Sequence, residues 1–211
     1  MNQSSNGHAH ILFAQYQAQK LKNWLGHYNK LGITILDFGC GNGLMTNFAQ
    51  EVFYEATVIG VDPSIENIAK AHTAFGAINL LALDNSSLPF NDHYFDLIYS
   101  ANVLHHIPFD QHTATIKEIM RVLKPHGTLI ILELNPYNPW TAYSFATNPI
   151  EQNARMLKPG YLSSLVKPFG MPKTWFYSFL PNILSCFIGL EEYAWWLPIG
   201  SLYATIVKKE R

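Results

Sequence analysis

Short apolar runs recur between residues 33 and 134, separated by stretches long enough to hold a helix. ITILDF (33–38), TVIGVD (57–62), INLLAL (78–83), FDLIYS (95–100) and TLIILEL (128–134) are β-rich and almost continuously apolar. Runs of this kind predict strands buried on both faces, as in a parallel sheet covered by two layers of helices. The intervening segments read as helices. The clearest is 110–123, where Ile116, Ile119, Met120 and Leu123 fall at i, i+3, i+4 and i+7, Asp110 stands where a cap is needed, and Pro125 and Gly127 close the helix. Ahead of the first strand, Ile11 to Tyr28 carries Leu12, Phe13, Tyr16, Leu21, Trp24 and Leu25 at amphipathic spacings. The pattern predicts an N-terminal helical cap over 1–32 and one α/β domain over 33–211. In such a sheet the ligand sits in the loops beyond the carboxyl ends of the strands.

Composition narrows the partners. Lysine plus arginine (14) nearly balance aspartate plus glutamate (15) in 211 residues, with no basic run, so nucleic acid is not expected as a partner. The two cysteines, Cys40 and Cys186, lack Cys-x-x-Cys spacing, which argues against a disulfide framework or a zinc site of that kind and fits a reducing compartment. The start MNQSSNGHAH has no secretory pattern, and a cytoplasmic location is expected.

From Thr174 to Val207 the only charges are Glu191 and Glu192, amid many Trp, Phe, Tyr, Leu and Ile residues. Pro181, Asn182 and Ser185 interrupt the run before Glu191, which leaves it short of the ~20 apolar residues that cross a bilayer. No transmembrane segment is expected. The segment 179–198, with Leu184, Phe187, Ile188, Leu190, Trp195 and Leu197, is expected to line the core and help wall an acceptor pocket. The alternative is an open apolar surface that meets a second subunit in a homodimer or a membrane surface.

The sharpest local signal is ILDFGCGNG (35–43), a strand ending in Asp37 with glycines at 39, 41 and 43. Glycine allows positive φ and close approach of a ligand to the backbone. A dinucleotide fingerprint would need a small residue three positions after its second glycine, and the candidates here are Leu44 and Thr46. Asp37 would also set an anion beside a pyrophosphate, whereas it suits a ligand bearing ammonium and sulfonium charges. A nicotinamide-dependent reductase is therefore the weaker reading, and no Tyr-x-x-x-Lys pair follows the fourth or fifth strand to support it. Asp62, before Pro63 and Ser64, has the chemistry to accept from ribose hydroxyls or to begin a helix. Asp84 and Asn85 suit either an adenine amine or a simple turn.

In order along the chain, LDFGCGNG, VIGVD, ALDNSSLPF, FDLIYSANVLHHI and RVLKPHGTLIILE resemble the class I S-adenosylmethionine-dependent methyltransferases across roughly residues 33–134. The likeness implies a Rossmann-like, mostly parallel seven-stranded sheet with the last strand antiparallel and strands six and seven at 173–179 and 202–208. It implies S-adenosyl-L-methionine as cofactor and S-adenosyl-L-homocysteine as product. By position it places Asp37, Gly39, Cys40 and Gly41 at the methionine part, Asp62 and Pro63 at the ribose, Asp84 and Asn85 at the adenine, and Ala101 or Asn102 beside the cofactor. ELNPYNPW (133–140) and LEEYAWWLPIGSLYATIVKK are similar to runs in small bacterial methyltransferases, which implies a small-molecule acceptor such as a saccharide or an amphipathic metabolite. A methyltransferase-fold protein that binds without turnover is the remaining alternative.

His105 and His106 follow the fourth strand, where an acceptor is expected, and an imidazole near neutral pH suits a general base. Packing or capping explains them as well. A metal at the pair is not expected, because no Asp, Glu or Cys stands nearby at matching ligand spacing. Glu133, Asn135, Tyr137 and Asn138 are further candidates for contact with a polar acceptor.

Overall fold

The apolar runs form strands β1 (Thr34–Phe38), β2 (Thr57–Asp62), β3 (Asn79–Ala82), β4 (Phe95–Ala101), β5 (Leu123–Leu134), β6 (Lys173–Tyr177) and β7 (Leu202–Lys208). The helices are α1 (Gln3–Leu25), α2 (Leu44–Val52), α3 (Ile65–Phe75), α4 (His112–Val122), α5 (Pro139–Thr147) and α6 (Pro159–Val166). These elements come from a computed structural model, which describes residues 3–76, 78–84, 87–178 and 195–210. The strand order is β3-β2-β1-β4-β5-β7-β6 in one seven-stranded sheet. β1 runs parallel to β2 and β4, β2 runs parallel to β3, and β7 is antiparallel to both β5 and β6. Strands six and seven thus lie where expected, with the seventh reversed. Residues 179–194 of the apolar segment lie outside the described residues. Of the positions expected as core lining beyond it, Trp195 is exposed and Leu197 only half-buried.

The chain divides into two compact units, residues 1–99 with 122–124 and residues 100–121 with 125–211. In the first, Ile35, Leu36, Val58, Val61, Leu97 and Ile98 are buried along the strands. α1 packs on α2. Its buried positions are Ala14, Gln17, Ala18, Leu21 and Leu25, while Ile11, Leu12 and Phe13 at its apolar start are exposed. Gly43 has φ +74, and a Cβ there would lie 2.8 Å from Ala71 Cβ and 3.1 Å from a Leu80 methyl. The third glycine of the loop thus allows α2 to begin directly against α3 and β3.

In the second unit Ile130, Ile131, Leu132, Leu162, Val166 and Ala204 are fully buried. α4 starts at His112, two residues past the expected cap, and β5 begins at Leu123. Pro125 and Gly127 consequently lie within a strand. The extension holds because His126, at φ +64, donates its N–H to Lys209 O (2.9 Å) while Lys209 N–H returns to Gly127 O (2.9 Å). Asn135 and Asn138, expected near the acceptor, instead secure the turn before β7. Asn135 Nδ2 donates to Pro198 O (3.1 Å) and Gly200 O (2.6 Å), and Asn138 Nδ2 donates to Ile199 O (2.7 Å).

Tyr203 is fully buried, and its hydroxyl donates to Leu157 O at 2.7 Å. Tyr203→Phe strands that carbonyl in the core, so urea denaturation should show a loss of about 1–3 kcal/mol. An unchanged unfolding midpoint would mean that the carbonyl finds another donor.

Candidate functional site

The glycine loop is held at both ends. Gly39 N–H and Cys40 N–H both donate to Val61 O at 2.9 Å, and Gly41 N–H donates to Asp62 Oδ2 at 2.8 Å. The other Asp62 oxygen accepts from Ser64 N–H at 2.9 Å, and Ser64 Oγ caps α3 by accepting from Asn67 N–H (3.2 Å). Asp62 therefore shapes the loop and the helix start, and a carboxylate using two of about four acceptor sites keeps capacity for further donors. Gly41 sits at φ +52, and a Cβ built on it meets nothing within 4 Å. The backbone is bare where a ligand would lie against it.

Asp37 ends the buried part of β1 and is only 1% exposed. Thr46, in the first turn of α2, donates its hydroxyl to Asp37 Oδ2 at 2.7 Å. Burial drives the Asp37 carboxyl up to about 7, against the hydrogen bond from Thr46 and the nearby Tyr99 hydroxyl and with the help of the Asp62 charge. The same burial, with the charges of Asp37 and Asp62, pushes the Cys40 thiol upward, so Cys40 is a small packing residue and not a nucleophile. Pro63 is exposed after β2, and Asp84 is exposed in a bend after β3. Asn85 lies outside the described residues.

In the second unit Ala101 closes β4 and is half-buried, and Asn102 follows at φ +58 with its N–H on Leu132 O (2.9 Å). The left-handed turn at Asn102 reverses the chain into the single 3-10 turn Leu104–His106. That turn is fixed from several sides. Glu133 accepts Leu104 N–H on Oε1 (3.0 Å), His112 Nε2 donates to the carbonyls of Leu104 (2.9 Å) and Ile107 (3.0 Å), and Arg155 N–H donates to His105 O (3.0 Å). Tyr161 OH lies 2.9 Å from His112 Nδ1.

His105 is thereby locked. Its Nδ1 lies 2.5 Å from Glu133 Oε2, and a carboxylate only accepts, so Nδ1 carries the proton. Its Nε2 lies 3.3 Å from Glu151 Oε2, which is 3.6 Å from His106 Nε2. Burial lowers the His105 pKa, but the hydrogen bond and charge of Glu133, with Glu151, outweigh it and hold the imidazole above its ordinary value. His106 shifts the other way, lowered by burial and by the neighbouring His105. The sequence placed the two histidines together but missed Glu151. It lies in a short 3-10 turn after α5 and carries no spacing signal towards the pair.

Comparison with known proteins agrees with this geometry. Residues 36–131 match the family described as a methyltransferase domain. An uncharacterized methyltransferase, YodH, of Bacillus subtilis is 31% identical over 158 residues, which cover 70% of this chain and 64% of that protein. A ubiquinone biosynthesis O-methyltransferase of Xanthomonas oryzae is 27% identical over 148 residues, covering 65% of this chain and 58% of the relative. The chain thus spans about three-fifths of the length of these curated relatives. The crystal structure of a SAM-dependent methyltransferase from Archaeoglobus fulgidus superimposes with a TM-score of 0.71 at 19% identity, covering 93% of this chain and 94% of that one. Residues 36–131 are thus similar to the methyltransferase-domain family, and the chain has the fold of S-adenosylmethionine-dependent methyltransferases. S-adenosylmethionine is the cofactor of that family, and a bare Gly41 beside a buried carboxylate and an anchored Asp62 fits such a cationic nucleoside.

Two substitutions test the loop. Gly41→Val finds space but not a comfortable backbone, costing about 1–2 kcal/mol of stability while filling the ligand's approach. Calorimetry should show a folded protein without measurable S-adenosylhomocysteine binding. Asp62→Ala should weaken that binding by about 1.5–3 kcal/mol. Asp62→Asn should also weaken it, because its amide nitrogen would face one of the two backbone N–H groups that the carboxylate now accepts. Wild-type affinity in either Asp62 variant would reduce this residue to a turn former.

Proposed function

We propose that the protein catalyses S-adenosylmethionine-dependent methyl transfer to a small-molecule acceptor. The observation that carries the reading is Asp37: a carboxylate held at about 7 by burial, with hydroxyl donors but no cation among the groups that set its pKa. Such a group is completed by an ammonium, and Asp37 is assigned to that of the cofactor's methionine part, with Gly39 and Gly41 giving the close backbone approach. Asp62 is assigned to the ribose, Asp84 and Asn85 to the adenine, and Ala101 and Asn102 to the cofactor's flank. When bound, the cofactor supplies a methyl group on a positively charged sulfur, ready for in-line displacement. The protein's part is to hold the loop rigid, so that little ordering remains to be done on binding.

A small-molecule acceptor is supported by the near balance of 14 basic and 15 acidic residues and by the ubiquinone-biosynthesis relative. His105 and His106 stand as the groups assigned to the acceptor. Among the described residues no helix is long and apolar enough to cross a membrane. A cytoplasmic setting is supported by Cys40, a buried free thiol.

The Asp37 assignment has a pH signature. Its folded pKa of about 7 lies above the ordinary 3.8, so the apoprotein loses stability as pH rises through that interval. An ammonium beside the carboxylate reverses the preference. S-adenosylhomocysteine affinity should rise up to tenfold per pH unit towards 7 and level off above it. Asp37→Asn should bind more weakly, show no acid limb, and leave the apoprotein at pH 8 as stable as wild type or more so. Calorimetry between pH 5.5 and 8.5 measures this, and a flat wild-type profile below pH 7 would remove Asp37 from the binding site.

A further inference from the structure

We propose that His105, His106 and Glu151 form a binding site for a divalent first-row transition metal, with Glu133 as its outer support. Nε2 of His105 is buried and makes no hydrogen bond, and neither does Oε2 of Glu151, although the two atoms face each other at 3.3 Å. The His105 side chain is only 1% exposed, so water does not offer it an easy alternative. Two polar atoms that approach so closely without a hydrogen bond are placed as if around a third. The distances support this. Two ligands about 2.1 Å from a tetrahedral metal lie about 3.4 Å apart, and the observed separations from Glu151 Oε2 are 3.3 Å to His105 and 3.6 Å to His106. One ligand atom from each of the three residues lies within 4.8 Å of the others.

The support behind the ligands has the form that metal sites use. Glu133 takes the Nδ1 proton of His105, which fixes the ring and the tautomer that leaves Nε2 free to ligate. Glu133 is itself held by Leu104 N–H, and the turn is held by His112. Two imidazoles and one carboxylate suit zinc, iron, cobalt or nickel better than magnesium or calcium, which take mostly oxygen. His106 is 44% exposed by side chain and free to close the last part of the gap. Three protein ligands leave a position open.

The open position deepens the proposed function and rests on it: the acceptor class it would take carries an ionisable oxygen. Coordination lowers the pKa of such a hydroxyl. Its proton would leave to solvent, and the oxyanion would attack the methyl carbon as the sulfur–carbon bond of the sulfonium breaks and S-adenosylhomocysteine leaves as the neutral thioether.

Metal binding is measurable without turnover. The protein, stripped with a chelator and carrying His8→Ala and His10→Ala to remove the N-terminal histidines as competitors, is titrated with Zn2+ by calorimetry and with Co2+ by visible absorption. One metal ion per chain is expected, with the ligand-field spectrum of four- or five-coordinate Co2+. Glu151→Gln and His106→Ala should each weaken Zn2+ binding at least tenfold, and Glu133→Gln should weaken it about 10–100-fold. S-adenosylhomocysteine binding should persist in Glu151→Gln, which shows that the variant is folded. No stoichiometric uptake, or wild-type Zn2+ affinity in both Glu151→Gln and His106→Ala, overturns the site and leaves a histidine paired between two carboxylates. Zn2+ bound by a wild-type protein that does not bind S-adenosylhomocysteine would instead sink the cofactor reading and leave the metal site standing.

Discussion

Burial of the Asp37 carboxylate is the constraint around which the loop region is arranged. Raising an acid from 3.8 to about 7 corresponds to an uncompensated charge on the order of 4 kcal/mol at alkaline pH. Thr46 moderates that cost only because α2 begins at Leu44, and α2 begins there only because Gly43 accepts a positive φ against Ala71. Asp62 adds to the same negative field and at the same time fixes Gly41 through its N–H. The hydrogen bond of Thr46 thus offsets only part of the cost that burial imposes on Asp37. The proposed cofactor, which carries an ammonium, would offset the Asp37 charge.

The second unit follows a different logic. The turn at 104–106 presents two imidazoles, and its backbone is secured by a glutamate, a histidine and the amide of Arg155. Among the buried polar atoms without a hydrogen bond are His105 Nε2 and Glu151 Oε2, which face each other at 3.3 Å. Their mutual approach, with His106 beside them, is what distinguishes this pair from the other buried atoms.

The strands were legible because burial on both faces writes itself as an unbroken apolar run. All five runs appear as strands, and β2 has the bounds read from TVIGVD. Asp37, Gly41 and Asp62 were legible as a group because strand ends and glycine turns place them locally. Other features depend on distant partners. α1 buries Ala14, Ala18, Leu21 and Leu25 and leaves Leu12 and Phe13 exposed, which an apolar tally does not reveal. The reach of β5 back to Leu123 depends on pairing with Lys209, and Glu151 meets His105 only after the chain has passed through α5. Asn135 and Asn138 were read as acceptor contacts, but their partners are the carbonyls of the turn before β7.

The reversed strand has a consequence for how the chain reaches this state. β7 follows β5 and β6 in the chain yet lies between them in the sheet, so neither strand has its neighbour until β7 inserts. During vectorial synthesis the apolar stretch Leu129–Leu132 therefore waits with an open edge while the later residues emerge. An edge of that composition is a template for pairing between chains, and closure across so long a sequence separation is slow. Overproduction should thus be limited by self-association of half-made sheets more than by the stability of the finished one, and slower synthesis at low temperature should favour soluble product.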